Sequence, residues 1–345
     1  MKKYILAGLI ILVAVCLTGC SLSLPTGKAA LPSKFKTGDT IVIANDYEIR
    51  MKSMEFSPKI IPADPGTFYS TFEVDSPDKT YFHAVFEITN LRNAKETADK
   101  IMTVSLLYDN KTAYLCSSAV ERDGDFSLSN DAEIVPLSTE TVHYIAEVPK
   151  ELTNGNKSTD TQITVNDHVM TCAGDGTVGN SIISLDLGNQ LDEYTEWQAY
   201  EEFTAEQSIE NEGFGKLTLE KTSFTNSVEP ANKGSLYAVN GTKEQDRVYL
   251  DAVFTFENTA ADSVEAGQVL QATVIYDNKY VYDSFVLIEQ GKNADLFDTS
   301  MIQIKPRATG KLHYAFELPQ KLEKSSKPLV LIISFNSKDY YCQIR

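Results

Sequence analysis

The chain repeats itself. At an offset of 168 residues, Tyr81-Phe82-His83-Ala84-Val85-Phe86-Glu87-Ile88-Thr89-Asn90 falls on Tyr249-Leu250-Asp251-Ala252-Val253-Phe254-Thr255-Phe256-Glu257-Asn258, and Tyr108-Asp109-Asn110-Lys111 falls on Tyr276-Asp277-Asn278-Lys279. Phe56, Tyr69 and Tyr114 meet Phe224, Tyr237 and Tyr282. A two-residue insertion then moves the offset to 170, so that Pro136, His143-Tyr144, Pro149, Leu152 and Cys172 match Pro306, His313-Tyr314, Pro319, Leu322 and Cys342. Two copies are too few for a solenoid, so each must close its own core. With 42% hydrophobic residues the chain has the material for two.

Within each copy the apolar period is two. Phe82, Ala84, Phe86 and Ile88 share one face of a strand, as do Leu250, Ala252, Phe254 and Phe256, while Tyr81, His83, Glu87 and Thr89 are expected to face water. Val142, Tyr144, Ala146 and Val148 alternate in the same way, matched by Leu312, Tyr314, Phe316 and Leu318. Short β-rich runs recur near 41–44, 47–56, 68–74, 81–90, 101–108, 112–120, 141–148, 161–165 and 169–173, separated by Asp-Asn, Asn-Asp and Gly-Asp turns. The pattern predicts an all-β chain of two tandem antiparallel sandwiches. Asp109-Asn110 and Asp277-Asn278 suit left-handed hairpin turns and need no ligand to explain them.

Three features carry a family likeness: the apolar strand ending in Asn90 or Asn258, the Tyr-Asp-Asn-Lys hairpin, and the stretch from Pro136 to Pro149 that ends in Val-Pro or Leu-Pro. Together they resemble the immunoglobulin-like domains of unknown function in lipoproteins and secreted proteins of Gram-positive bacteria. The resemblance covers most of 39–345 and implies a binding or surface-display role without catalysis. At one position the copies part: Glu140 stands where copy two has Gly310.

Lys2 and Lys3, an apolar run from Ile5 to Leu17 and a small-residue site before Cys20 read as a signal peptide, too short for a permanent membrane span. Leu17-Thr18-Gly19-Cys20 resembles the lipobox of bacterial lipoproteins, which implies cleavage before Cys20 and a diacylglycerol thioether on its sulfur. Two acyl chains give stable anchoring to the extracytoplasmic face of the cell membrane. The expected organisation is a signal peptide at 1–19, a lipidated tether at 20–38, domain one at 39–188, an acidic aromatic linker at 189–208 and domain two at 209–345. The linker region carries the chain's single Trp, Trp197, and its aromatic spacing gives no clean helical stripe. Trp197 is read either as a partner contact or, the favoured reading, as packed on the domain junction.

A balance of 31 basic against 48 acidic residues, net −17, repels nucleic acid and anionic headgroups. Cys116, Cys172 and Cys342 would remain in an oxidising compartment. A Cys116–Cys172 disulfide, worth roughly 4 kcal/mol in the chain-entropy picture, and three small buried thiols are equal alternatives.

Candidate chemistry is thin. Gly174-Asp175-Gly176-Thr177-Val178-Gly179 fits a dinucleotide-binding glycine pattern, but a strand-like run follows it where a helix is required, so a loop is expected. His143 with Glu147, and His313 with Glu317, recur on what is read as the outward face. Four strand residues separate each pair by about 13 Å, too far to share an ion. Met51 and Met54, at odd spacing, are sent to opposite faces. Asp123, Asp125 and Asp131 raise calcium, but position six is Leu128 and position twelve Ile134, and copy two carries only Asp295 and Asp298 nearby. No nucleophile elbow or Cys–His setting occurs. The expectation is a non-enzymatic protein with no metal and no cofactor, whose partners are the membrane, through Cys20, and an unidentified envelope or extracellular molecule. Contacts are expected from Asp123, Asp125 and Trp197 and from the loops 123–131 and 290–298. The alternative is the solute-binding lipoprotein subunit of an uptake system.

Overall fold

Period-two runs pair into facing layers in the computed structural model, which describes residues 33–63, 65–128, 132–155, 157–231, 240–241, 246–290, 295–299 and 302–345. The signal segment, Cys20, most of the tether and Asp131 lie outside the described residues. In the first repeat one sheet runs Lys34–Phe35, His168–Cys172, Thr159–Val165, Thr103–Tyr108, Thr112–Leu115. The other runs Asp125–Leu128, Ser117–Arg122, Thr139–Pro149, Lys79–Asn90, Tyr47–Ser57, Thr40–Ile43, Ile182–Leu185. Phe82, Ala84, Phe86, Ile88, Val142 and Tyr144 are buried between them, as alternation requires.

The second repeat builds the same layers as one continuous path. Strand Tyr280–Gln290 pairs with Leu270–Tyr276 through Asp283 and with Thr309–Pro319 from Ser284 onward, passing from one layer to the other. In the first repeat the matching strand is interrupted at Cys116, and its halves, Thr112–Leu115 and Ser117–Arg122, belong to different sheets. Asp109, Asn110, Asp277 and Asn278 all take φ of 54–55°, the left-handed turn expected of them.

The antiparallel expectation is corrected at the edges, where three pairings are parallel: Lys34–Phe35 with His168–Cys172, Ile182–Leu185 with Thr40–Ile43, and Glu201–Glu202 with Lys338–Gln343. Phe35, counted with the tether on sequence, is therefore buried in the first core, and Phe203, counted with the linker, in the second. The run at 68–74 shrinks to strand Phe72–Glu73, and the region around Trp197 forms the short 3-10 turn Glu196–Ala199. The opposite-face reading of Met51 and Met54 fails because a bulge falls between them. Pairing slips between Met51 and Ser53, shifting the phase by one residue, so Met51, Met54 and Phe56 all face the core. The same slip recurs between Leu219 and Lys221.

Each central strand ends in a buried asparagine. Asn90 Nδ2 donates to the carbonyls of Ala94 and Ile134, and its Oδ1 accepts from Arg92 N. Asn258 repeats the set with Asp262, Ile304 and Ala260. Six local carbonyl and amide groups thus find partners through two side chains, which explains why the asparagine is common to both copies.

Glu140, the departure from Gly310, has a structural reason. Its carboxylate is 5% exposed and pairs with Arg247 of the second repeat, 2% exposed, while Arg122 adds a contact at 3.3 Å. Around this pair Tyr282 Oη donates to the Pro136 carbonyl at 3.0 Å, Val281 N donates to Asn93 O at 3.0 Å, and Lys95 lies 2.8 Å from Glu133 and 3.6 Å from Asp283. Val135 and Leu137 of the first repeat pack on the second core.

Two stability outcomes follow. Asn90→Ala strands one buried and two part-buried partners and should cost about 3 kcal/mol in urea unfolding, with Asn258→Ala the same. Arg247→Met should cost about 3–5 kcal/mol by leaving Glu140 without its buried partner across the joint, and adding Glu140→Gly should restore most of the loss.

Candidate functional site

The titratable residues singled out in the sequence meet across strands, not along them. His143 is 3% exposed, and the face read as wet is covered. Across the Lys79–Asn90 and Thr139–Pro149 pair, the His83 and His143 rings lie parallel with centroids 5.1 Å apart, and His83 Nε2 is 2.8 Å from His143 Nδ1. His143 Nε2 donates to Glu121 Oε2 at 2.9 Å, from the next strand. Glu121 Oε1 accepts Ala63 N at 2.8 Å, binding the segment 58–74 down over the sheet. Phe126 meets His143 edge-on at 4.9 Å and Phe72 at 5.3 Å, closing the cover.

The second copy keeps the design with one exchange. His313 Nδ1 lies 3.0 Å from Asp251, which replaces His83, and Nε2 lies 3.1 Å from Glu289, the counterpart of Glu121. Glu289 accepts Ala231 N, the counterpart of Ala63, at 2.7 Å. Glu147 and Glu317, which recur beside the histidines in sequence but lie too far along the strand to share an ion with them, pair with Lys79 and approach Arg247 at 3.8 Å. At the offset of 168 both Glu121 and Ala63 recur, as Glu289 and Ala231, a signal in the sequence that the pairing of the strands turns into contacts.

The exchange reverses the charge state. Burial, with His143 adding to it, holds His83 below its ordinary 6.5, and burial likewise lowers His143, so both rings are neutral and pass one proton each along His83, His143 and Glu121. Burial also opposes protonation of His313, but the hydrogen bonds and charges of Asp251 and Glu289 outweigh it and raise the value. With a carboxylate on each nitrogen, both nitrogens donate and the ring is an imidazolium. The carboxylates of Glu121 and Glu289 are spent on contacts within the molecule, while His83 Nδ1 is buried without a hydrogen-bond partner among the described residues. Among the described residues no cluster of three metal-ligating side chains occurs.

The remaining sequence candidates are placed as follows. Asp123 and Gly124 form the left-handed turn of the hairpin from Ser117–Arg122 to Asp125–Leu128. Asp125 Oδ1 accepts Ser70 N at 2.6 Å and Phe126 N at 2.7 Å, so it fastens the 58–74 segment, and these backbone donors hold its carboxyl below the usual range. Trp197 lies 5.0 Å from the Tyr341 ring, with its Nε1 buried and lacking a hydrogen-bond partner among the described residues. Of the loop 290–298, residues 291–294 lie outside the described residues. The three thiols are free. Cys116 sits at the strand break with its N–H on Val104 O, and Cys172 Sγ lies 3.8 Å from Thr37 Oγ1. Burial pushes the Cys116 thiol up to about 12, removing its nucleophilic form. In the glycine-rich loop a Cβ at Gly174 would collide with the Thr159 carbonyl, Gly176 takes φ of 74°, and Gly179 abuts Asp39. Its glycines answer to backbone geometry.

No protein-family model matches the chain, and no curated protein matches it. An uncharacterized β-sandwich protein from Clostridium difficile is 22% identical with a TM-score of 0.40, over 42% of this chain and 95% of its own. A conserved hypothetical protein from Bacillus anthracis is 11% identical with a TM-score of 0.30, over 41% and 95%.

The two histidine layers should answer pH with opposite sign. His83 and His143 bind protons more weakly folded than unfolded, so their contribution is present above 6.5 and is lost as pH falls through the lowered values. His313 binds its proton more tightly when folded, so its contribution is present below 6.5 and is lost as pH rises through the raised value. Hydrogen exchange across pH 5–9 should show the first repeat loosening on the acid side and the second on the alkaline side. His143→Gln should reduce the acid response to the share that His83 carries by its own burial, and His313→Gln should abolish the alkaline one.

Proposed function

We propose that the protein is an extracytoplasmic lipoprotein, held to the membrane through Cys20, that acts without catalysis as a binding or structural element of the cell envelope. Among the described residues no helix is long and apolar enough to cross a membrane. The observation that carries the reading is the fate of the polar groups. The His–carboxylate layers and Asp125 are committed to fastening the cover segments, while the loops face outward. On the 58–74 segment Phe68 is 90% exposed and Tyr69 stands beside it at the surface. Fixed strands bearing outward loops suit recognition of a macromolecular partner.

The test has two arms in one Gram-positive host. Full-length protein should fractionate with membranes and carry an acylated N-terminal Cys20 peptide by mass spectrometry, and Cys20→Ala should move it to the soluble fraction. A photo-crosslinker at Phe68 on intact cells should capture one saturable partner. An unmodified Cys20 defeats the anchor, and no saturable adduct from any outward loop defeats the binding role.

A further inference from the structure

The two sandwiches differ at one end in a way that the cores do not require. In the second, Phe224 on the outer part of strand Gly215–Thr225 is covered by the chain's own last residues. Ile344 packs on the core, and the Arg345 guanidinium lies 5.6 Å from the Phe224 ring centroid. That guanidinium donates to the carbonyls of Leu322, Glu323 and Lys327 at 2.6, 3.2 and 3.0 Å. An aromatic floor, a carbonyl rim and an apolar–basic pair thus form a filled site.

In the first sandwich the offset of 170 places Gly174 and Asp175 where Ile344 and Arg345 stand. Gly174 cannot carry a side chain, since its Cβ would strike the Thr159 carbonyl. The chain turns away through Gly176 and leaves a groove of about 340 Å³, with Met54, Phe56 and Phe82 on its floor and Glu55 and Val178 at its edge. Phe56 and Phe82 meet edge-on at 5.7 Å, in the register that Phe224 and Leu250 share in copy two. Glu55 is 62% exposed, and among the described residues its carboxylate lies 3.5 Å from the buried His83 ring. Lys52, also at the groove, has its charge met by Glu87 at 2.7 Å. The local balance is therefore acidic, within a chain of net charge −17.

We infer that this groove binds an apolar–basic peptide segment of a partner protein, an aliphatic side chain entering beside Phe82 and an arginine or lysine lying over Phe56 toward Glu55. The second sandwich holds such a segment from its own chain, and the first keeps the floor without the plug. The inference rests on the binding role proposed above and supplies the chemistry of the partner.

A fluorescein-labelled, amidated peptide with the Tyr340–Arg345 sequence, serine replacing its cysteine, is titrated with the purified extracytoplasmic protein by anisotropy at low salt. Saturable one-to-one binding is expected, weakened at least tenfold by Glu55→Lys and by Phe56→Ala, and lost when the peptide's arginine is replaced by glutamate. Glu55→Lys alters an exposed side chain and keeps the result readable should Phe56→Ala unfold. Replacing Ile344 and Arg345 by glycine should open the second site and raise the stoichiometry to two. Absence of peptide binding to the wild type, or binding indifferent to Glu55→Lys and to the peptide's charge, overturns the inference. A partner captured at Phe68 in cells would then still uphold the broader binding role, so the two failures are distinguishable.

Discussion

Taking a carboxylate and a guanidinium out of water costs several kilocalories each, and only a close, well-aligned pair offsets it. Glu140 and Arg247 are in close contact at the junction of the two repeats, with the Arg122 guanidinium 3.3 Å from the same carboxylate oxygen, and further contacts bridge the same junction. Tyr282, Val281 and Lys95 all make contacts that require the same alignment. The pair also breaks the symmetry of the duplication. Position 140 has left the glycine of its counterpart, and position 247 carries arginine where the first copy has Lys79 in an exposed pair with Glu147. One ancestral surface has become an interior.

Much of the architecture was legible in the residues because strand alternation and turn chemistry are local. Phe82 to Ile88 and the Asp-Asn turns act through neighbours one or two positions away. What could not be read required knowing which strands lie side by side. His143 was weighed only against Glu147 on its own strand and found too far from it, whereas its partners His83 and Glu121 come from two other strands. The outward face was taken as wet because nothing local announces that 58–74 folds back over it. Met51 and Met54 were assigned opposite faces because a bulge has no reliable signature in a single strand. The recurrence of Glu121 as Glu289 was present in the sequence, but it gains meaning only once those strands are adjacent.

The histidine layers show how far one substitution can carry. With His83, the first copy holds uncharged rings ending on one carboxylate; with Asp251, the second holds a charged ring between two carboxylates. Both solutions satisfy the same requirement, that a buried carboxylate anchoring a backbone amide must itself be met. Glu121 and Glu289 are fixed by this task, so they serve the cover segments more than the cores.

The parallel edge pairing of Lys34–Phe35 bears on mechanics. Tension arriving from the residues before Ser33 runs along that short strand and on through Thr40–Ile43, whose neighbours lie on either side in the same sheet. Such a pull slides bonds past one another together instead of opening them in turn like a zipper. A body tugged from this end would resist as a unit, and its first yielding point would be the two-residue strand.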